Sequence, residues 1–220
     1  MKNFDCWYKD VCTKDDIFCS NCIRFIEMRA LMDNSNIPKA KQFPEILRPP
    51  KCDLSAFRRL NEIKDNINDF VKSGKCLYIT SDTTGNGKTT WSIKLMLKYF
   101  DTVWAGNGFK CRGIFIHTPT FLLKCKDFNN RDDDFEEIKR RLSTVDLVIW
   151  DDIASTDISA YDYSQLLMYI DTRVNNNKSN IFTGNITTQE TMKKSIGAKL
   201  TSRIFASQTE IIKFGGADRR

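Results

Sequence analysis

A glycine-rich segment that follows an apolar run constrains this chain more than any other feature. The apolar run is Cys76-Leu77-Tyr78-Ile79-Thr80, and it leads into Ser81-Asp82-Thr83-Thr84-Gly85-Asn86-Gly87-Lys88-Thr89-Thr90. Helical spacing of apolar residues begins immediately after this segment. A strand, a glycine turn and a helix in this order predict a phosphate-binding loop, because the glycines let successive N–H groups face phosphate oxygens. The positive N-terminal end of the helix strengthens that attraction.

The last residues of this loop have distinct expected roles. We expect Lys88 to reach the β- and γ-phosphates of a nucleotide and the Thr89 hydroxyl to ligate Mg²⁺. The predicted nucleotide-binding set is Thr84, Gly85, Asn86, Gly87, Lys88, Thr89 and Thr90. Asp82 occupies the position where the usual motif begins with a glycine, which leaves the closure of the turn open. The competing interpretation is a glycine turn that arose by chance.

Two carboxylates end a second apolar run, Val145 to Trp150. An acid at such a strand end lies beside the phosphate loop and helps to hold Mg²⁺, so we predict this role for Asp151. Asp152 is predicted to polarise the attacking water. Its side chain is one methylene shorter than the glutamate that many such ATPases use, so we expect slow hydrolysis. The alternative is a simple turn after the strand.

Two further polar residues are candidates for the same chemistry. Asn185 follows the apolar strand Asn180 to Thr183 and is predicted to hydrogen-bond the γ-phosphate or the water, although a Gly-Asn pair is also a common turn. The Arg203 guanidinium is predicted to neutralise developing charge, a group that a neighbouring subunit often donates. The alternative for Arg203 is an ordinary surface position on a helix.

Composition places the chain among soluble globular proteins. The 220 residues carry a net charge of +6 and 41% apolar residues, and no run approaches the length of a membrane helix. The first residues do not resemble a signal peptide, so we expect a cytoplasmic protein with no membrane partner. The mild positive charge permits a nucleic-acid surface without demonstrating one.

Eight cysteines in such a protein argue against disulfides. Cys6, Cys12, Cys19 and Cys22 cluster near the N-terminus, and four soft ligands suit a tetrahedral structural zinc site. We therefore predict Zn²⁺ at these residues, with free thiols as the alternative. The remaining cysteines, at positions 52, 76, 111 and 125, are interpreted as small core residues.

The chain divides into three predicted parts. Residues 1–35 form a cysteine-rich head with a helix from Cys22 to Asp33, residues 36–52 a proline-rich linker, and residues 53–220 the main domain. After the linker, Asp53 is predicted to cap one helix that continues to Gly74. Strands then alternate with helices, which predicts an α/β fold with a mostly parallel five-stranded sheet covered on both faces.

These motifs, in this order, resemble the AAA+ ATPases of the DnaC/DnaI helicase-loader and IstB group, with phage-encoded replication members most similar. Ile37-Pro38 resembles the family's entry to the ATPase core near the adenine, and Asp151-Asp152 resembles its Walker B motif. Asn185 falls at sensor 1, and Ser202-Arg203-Ile204 matches the arginine-finger box. The final Gly216 to Arg220 places Arg220 at sensor 2, with Arg219 as the rival.

The resemblance implies a three-layer αβα core, a minimal C-terminal lid and a zinc-bearing head that contacts the helicase. It further implies that ATP-bound subunits associate through Arg203 and deliver a hexameric DnaB-type replicative helicase to single-stranded DNA. Three alternatives stay open: an IstB-like regulator of a transposase on double-stranded DNA, a P-loop kinase of a small metabolite, and a zinc-organised binding module with a vestigial nucleotide site.

Overall fold

The computed structural model describes residues 6–13, 22–127, 132–155 and 158–216. Five strands form one sheet in which every pairing is parallel, in the order β2-β3-β4-β1-β5. The strands are β1 Cys76–Ser81, β2 Gly113–His117, β3 Leu147–Asp151, β4 Ser179–Gly184 and β5 Thr209–Phe214. The predicted five-stranded parallel sheet is therefore confirmed.

Helices cover both faces of this sheet. On one face lie α1 Ile23–Asp33, α2 Leu54–Asp65, α3 Ile67–Lys72 and α4 Lys88–Val103. On the other lie α5 Thr118–Lys126, α6 Asp133–Leu142, α7 Ala160–Asn175, α8 Gln189–Ile196 and α9 Ala198–Ile204. Alternate strand residues supply the two cores: Leu77 and Ile79 face the first layer, and Cys76 and Tyr78 face the second. The three-layer αβα architecture is confirmed.

The N-terminal segment packs directly on this core. Met28, Leu31 and Met32 of α1 are buried in the same apolar cluster as the first sheet face. Beyond α1, the Phe115 N–H donates to the Ser35 carbonyl oxygen at 2.7 Å, and the Asn36 side chain donates to the Phe115 carbonyl oxygen at 2.9 Å. The chain after α1 thus protects the edge of β2.

The helix predicted after the linker differs from the structure in one respect. The single predicted helix is two helices, because the backbone leaves the helical region at Asn66, which has φ −109° and ψ 26°. Asp53 is the N-cap residue of α2 as predicted, although its side chain makes no capping hydrogen bond there. Its buried carboxylate instead accepts the Gly215 N–H at 2.7 Å, which ties the start of α2 to the end of β5.

One predicted core cysteine differs from expectation. Cys76 and Cys125 are buried as predicted, whereas Cys52 is exposed, so its assignment to the core is wrong. Helix α5 begins at Thr118 with Pro119 in its first turn, where a residue needs no N–H partner.

Candidate nucleotide site

The phosphate loop lies at the carboxyl end of β1, and α4 begins at its Lys88. Gly85 and Gly87 both have positive φ, 67° and 95°, a conformation that other residues rarely adopt. A side chain at Gly87 would also collide with Leu47, because an added Cβ would lie 2.7 Å from Leu47 Cδ1. Gly87 is therefore required by its backbone conformation, and any side chain at this position would also displace the end of the Leu47 side chain.

Lys88 lies folded over its own loop. Its ammonium donates to Ser81 Oγ at 2.7 Å, to the Thr83 carbonyl oxygen at 3.0 Å and to Asn86 Oδ1 at 3.2 Å. Ser81 Oγ in turn donates to the Thr83 carbonyl oxygen. These are neutral acceptors, so the oxygens of a bound triphosphate would compete with them for the same ammonium group through stronger, charge-assisted hydrogen bonds.

Strand β3 contacts the phosphate loop through one carboxylate oxygen of its last residue, Asp151. Asp151 is buried at the end of β3, with 4% of its surface exposed. The Thr89 hydroxyl donates to Asp151 Oδ1 at 2.7 Å, so the structure brings together two segments that are 62 residues apart in sequence. A hydroxyl and a carboxylate are the oxygen ligands that Mg²⁺ accepts in proteins, and both fit the magnesium role predicted for them.

Thr183 at the end of β4 forms hydrogen bonds with both Asp151 and Asp152, and no sequence pattern indicated this role. Its hydroxyl donates to Asp151 Oδ1 at 2.7 Å and accepts the Asp152 N–H at 3.0 Å. Its carbonyl oxygen accepts the Ile153 N–H at 2.8 Å. Asp152 has φ 60°, an uncommon conformation for a non-glycine residue, and the hydrogen bond to Thr183 fixes its N–H in this turn.

Asp82, the departure from the usual motif, is tied to two other segments. Its carboxylate contacts Lys213 Nζ of β5 at 2.6 Å and accepts the Thr187 hydroxyl at 2.9 Å. The hydrogen bond from Lys213, with that from Thr187, lowers the pKa of Asp82. A glycine at this position could make neither contact, so the loop entrance is anchored here by a side chain.

The other predicted site residues have different surroundings. Asn185 is exposed just beyond β4, and Ile37 is buried in the core. The residue of the predicted linker that touches the loop is Leu47, which no motif signalled. Arg203 forms an ion pair with Asp171 of α7, with Nε 2.6 Å from Oδ1. Arg219 and Arg220 lie outside the described residues. The Thr83 hydroxyl donates a hydrogen bond to the Gly216 carbonyl oxygen at 2.9 Å.

The predicted zinc ligands are only partly described. Cys6, Cys12 and Cys22 are partly exposed and form no disulfide within the described ranges, and Cys19 lies outside the described residues. Within the described ranges, no three histidine, cysteine or acidic side chains come together as a metal site would require. The zinc site stays a prediction.

Comparison with solved structures identifies the fold. The crystal structure of the DnaC helicase loader matches with a TM-score of 0.66 and 18% identity, covering 80% of this chain and 99% of that one. The crystal structure of DnaI matches with a TM-score of 0.66 and 14% identity, covering 86% and 99%. The replication initiator DnaA, bound to AMPPCP and single-stranded DNA, matches with a TM-score of 0.59 and 15% identity, covering 83% and 52%.

These matches confirm the layered αβα fold with a parallel sheet expected from the sequence, a fold that the solved DnaC helicase loader and DnaI share. No family model and no curated protein matches the chain. Within the described ranges, every helix is too short or too polar to span a bilayer.

Proposed function

We propose that this chain is an ATP-dependent loader that delivers a hexameric DnaB-type replicative helicase to single-stranded DNA. The observation that carries the proposal is the hydrogen bond between Thr89 and Asp151, which joins a phosphate loop to an acid strand within a helicase-loader fold. The solved DnaA with this fold is bound to AMPPCP and single-stranded DNA, which supports ATP and such DNA as the ligands here.

The nucleotide chemistry follows from the side chains around the loop. Lys88 is proposed to leave its loop acceptors and to neutralise the β- and γ-phosphates. Thr89 and Asp151 are proposed to hold Mg²⁺, which when bound would offset the negative charge of the phosphates. Asp152, on its fixed turn, and Asn185 are proposed to orient the attacking water. Ile37 is proposed, from the family resemblance, to lie near the adenine.

Arg203 is proposed to complete the site of a neighbouring copy. It lies in the last turn of α9, which precedes β5, whereas the phosphate loop follows the carboxyl end of β1. Because all strands are parallel, the start of β5 lies at the amino edge of the sheet and the loop at the carboxyl edge. Strands of this length separate the two edges by about 17–20 Å. Arg203 is therefore proposed to reach a phosphate loop by self-association.

The helicase contact is proposed to lie in the N-terminal head, organised by Zn²⁺ on the four cysteines. The cysteine spacing supports the zinc site, and the family resemblance supports the helicase contact. We propose a cytoplasmic site of action, in a bacterial or phage-infected cell. Arg220 is the proposed sensor 2.

The decisive experiment is co-purification with a DnaB-type helicase, with and without ATP and Mg²⁺. We expect ATP-dependent capture that is lost in Lys88→Ala, whose folding is checked by circular dichroism. Zinc chelation is expected to abolish capture while ATP binding persists. Absence of adenine-nucleotide binding by the purified protein would refute the proposal, whereas nucleotide binding and capture of a transposase instead of a helicase would favour the IstB-like alternative.

A further inference from the structure

A groove of about 400 Å³ runs between α2 and α4 on the outer surface of the first helical layer. The segment before α2 closes one end of it. The groove is lined by Ile46, Leu47, Pro49, Leu54, Phe57, Arg58, Asn61, Lys64, Trp91 and Lys94. None of these residues was assigned a role by the nucleotide chemistry.

The floor and one wall of the groove are apolar. Phe57 and Trp91 form the buried floor, with their rings in edge-to-face contact at 5.1 Å. Ile46 and Leu54 stand at the wall with 90% and 51% of their surface exposed. These two aliphatic side chains therefore offer exposed apolar surface next to the aromatic floor.

Another part of the lining is basic, and we call it the basic wall. Arg58, Lys64 and Lys94 line the groove, and no carboxylate is among its lining residues. Lys94 lies with Nζ 5.6 Å from the Trp91 ring centre. Burial and the neighbouring Lys64 both lower the pKa of Lys94, so the positive charges here are concentrated rather than compensated. An acidic ligand would relieve this repulsion.

The floor also holds an unsatisfied hydrogen-bond donor. Trp91 is 4% exposed, and its buried Nε1 has no hydrogen-bond partner within the described part of the chain. A buried tryptophan N–H normally finds an acceptor, and leaving it unpaired costs free energy. A ligand oxygen would accept this hydrogen bond only after the side chains that cover the N–H move aside.

We propose that this groove binds an acidic amphipathic segment of a partner polypeptide, in which apolar side chains meet Ile46 and Leu54 and carboxylates meet the basic wall. A polypeptide fits better than a nucleic acid, because the exposed apolar residues are aliphatic and the aromatic rings are buried, leaving no surface for base stacking. Leu47 touches Gly87, so the occupied groove borders the phosphate loop. The proposal does not depend on the helicase as the partner.

The test uses the full chain and a synthetic 15-residue helical peptide with Leu at positions i, i+3, i+4 and i+7 and Glu at the flanking positions. The four tryptophans give four indole N–H resonances, and Trp91→Phe identifies the one from the groove. We expect a saturable shift of the Trp91 resonance. Arg58→Glu with Lys64→Glu should weaken binding at least about tenfold, and Ile46→Ser at least about threefold.

The matched control is Lys193→Glu with Lys194→Glu, the same charge change on two exposed residues of α8, across the sheet. It should bind the peptide within about twofold of the unmodified chain. A peptide with Lys in place of Glu should not bind. The proposal is overturned if the Trp91 resonance does not move, if the lysine peptide binds equally well, or if adenosine or a dT15 strand displaces the acidic peptide. Self-association that Ile46→Ser abolishes would assign the groove to a second copy and also overturn it.

Discussion

Thr183 has more influence on the candidate site than its chemistry suggests. One hydroxyl orients the carboxylate of Asp151 and fixes the N–H of Asp152. A residue that orients a metal ligand in this way normally changes metal affinity or activity by about 10–100-fold when it is removed. Thr183 is thus predicted to be a positioning residue for the magnesium site.

Thr183→Val preserves the side-chain shape and removes both hydrogen bonds of the hydroxyl. We expect ATP turnover to fall by about 10–100-fold and the Mg²⁺ concentration for half-maximal turnover to rise. Thr183→Ser, which retains the hydroxyl, should recover most of the activity. The measurement is steady-state hydrolysis as a function of Mg²⁺, with thermal melting as the folding control. A valine variant with an unchanged Mg²⁺ requirement would show that Thr183 is only structural.

At the scale of single residues, the sequence predicts those residues whose spacing is set by the phosphate group that they would bind. Gly87, Lys88 and Thr89 stand in a local motif because one phosphate group contacts all of them. Thr183 and Leu47 join the site through strand pairing and through the path of an irregular segment. Neither relationship leaves a local pattern, so neither residue could be singled out.

At the scale of helices and strands, the break between α2 and α3 shows that the spacing of apolar residues does not predict where a helix ends. The buried residues Ile63, Ile67 and Phe70 continue the same helical spacing across the break. Amphipathic spacing reports which face is buried, and both helices bury the same face. The Asn66 side chain donates to the Glu62 carbonyl oxygen at 3.0 Å, a local bond that competes with the continued helix.

Arg173 of α7 joins that helix to the amino ends of two strands. It is fully buried, and its guanidinium donates to the carbonyl oxygens of Leu142, Val145, Asp146 and Ser179 and to the Asn180 side chain. Arg173→Met should lower the free energy of unfolding by about 3–5 kcal/mol, because these acceptors would stay buried without a donor. Urea denaturation measures the change. Arg140→Met, at an exposed position of α6, should change it by less than about 0.5 kcal/mol.

Asp101 near the end of α4 fastens the N-terminal segment to the core. Its Oδ1 accepts Arg24 Nη2 at 2.5 Å and the Tyr8 hydroxyl at 2.8 Å, and the Arg24 guanidinium lies 3.5 Å from the Tyr8 ring centre. Burial raises the pKa of Asp101, but the hydrogen bonds from Arg24 and Tyr8 outweigh it, so the pKa lies below its ordinary value.

A lowered carboxyl pKa stabilises the fold above the unfolded-state pKa of about 3.9, and this contribution is lost as the pH falls through the folded-state pKa. Asp101→Asn should therefore destabilise the protein at pH 7, by roughly 1 kcal/mol because the group is partly exposed. The difference should shrink as the pH falls from the unfolded-state pKa through the folded-state pKa of Asp101. Urea denaturation at a series of pH values measures it. A difference that does not decrease anywhere in the acid range would assign the effect to packing instead of charge.

At the scale of the whole molecule, alternation of strands and helices predicted the layered parallel sheet, because parallel strands need crossover connections. The strand order could not be obtained in this way. β1 pairs with β4 and β5 rather than with β2, its neighbour in sequence. That order places Asp151 and Thr183 on adjacent strands close to the loop, and it leaves Arg203 toward the opposite edge.

The separation of Arg203 from the loop makes a prediction about mixed assemblies. Arg203→Ala keeps an intact phosphate loop and Lys88→Ala keeps an intact Arg203, so each variant alone should hydrolyse ATP very slowly. In an equal mixture, about a quarter of the interfaces pair an intact loop with an intact Arg203 from the neighbour, as a head-to-tail contact requires. We therefore expect mixing to restore a substantial part of the activity, measured as phosphate release at fixed total protein.

Arg203 forms an ion pair with Asp171 within one subunit, so this pair must open before Arg203 can complete the site of a neighbour. If the mixture is no more active than its components, Arg203 does not act across subunits.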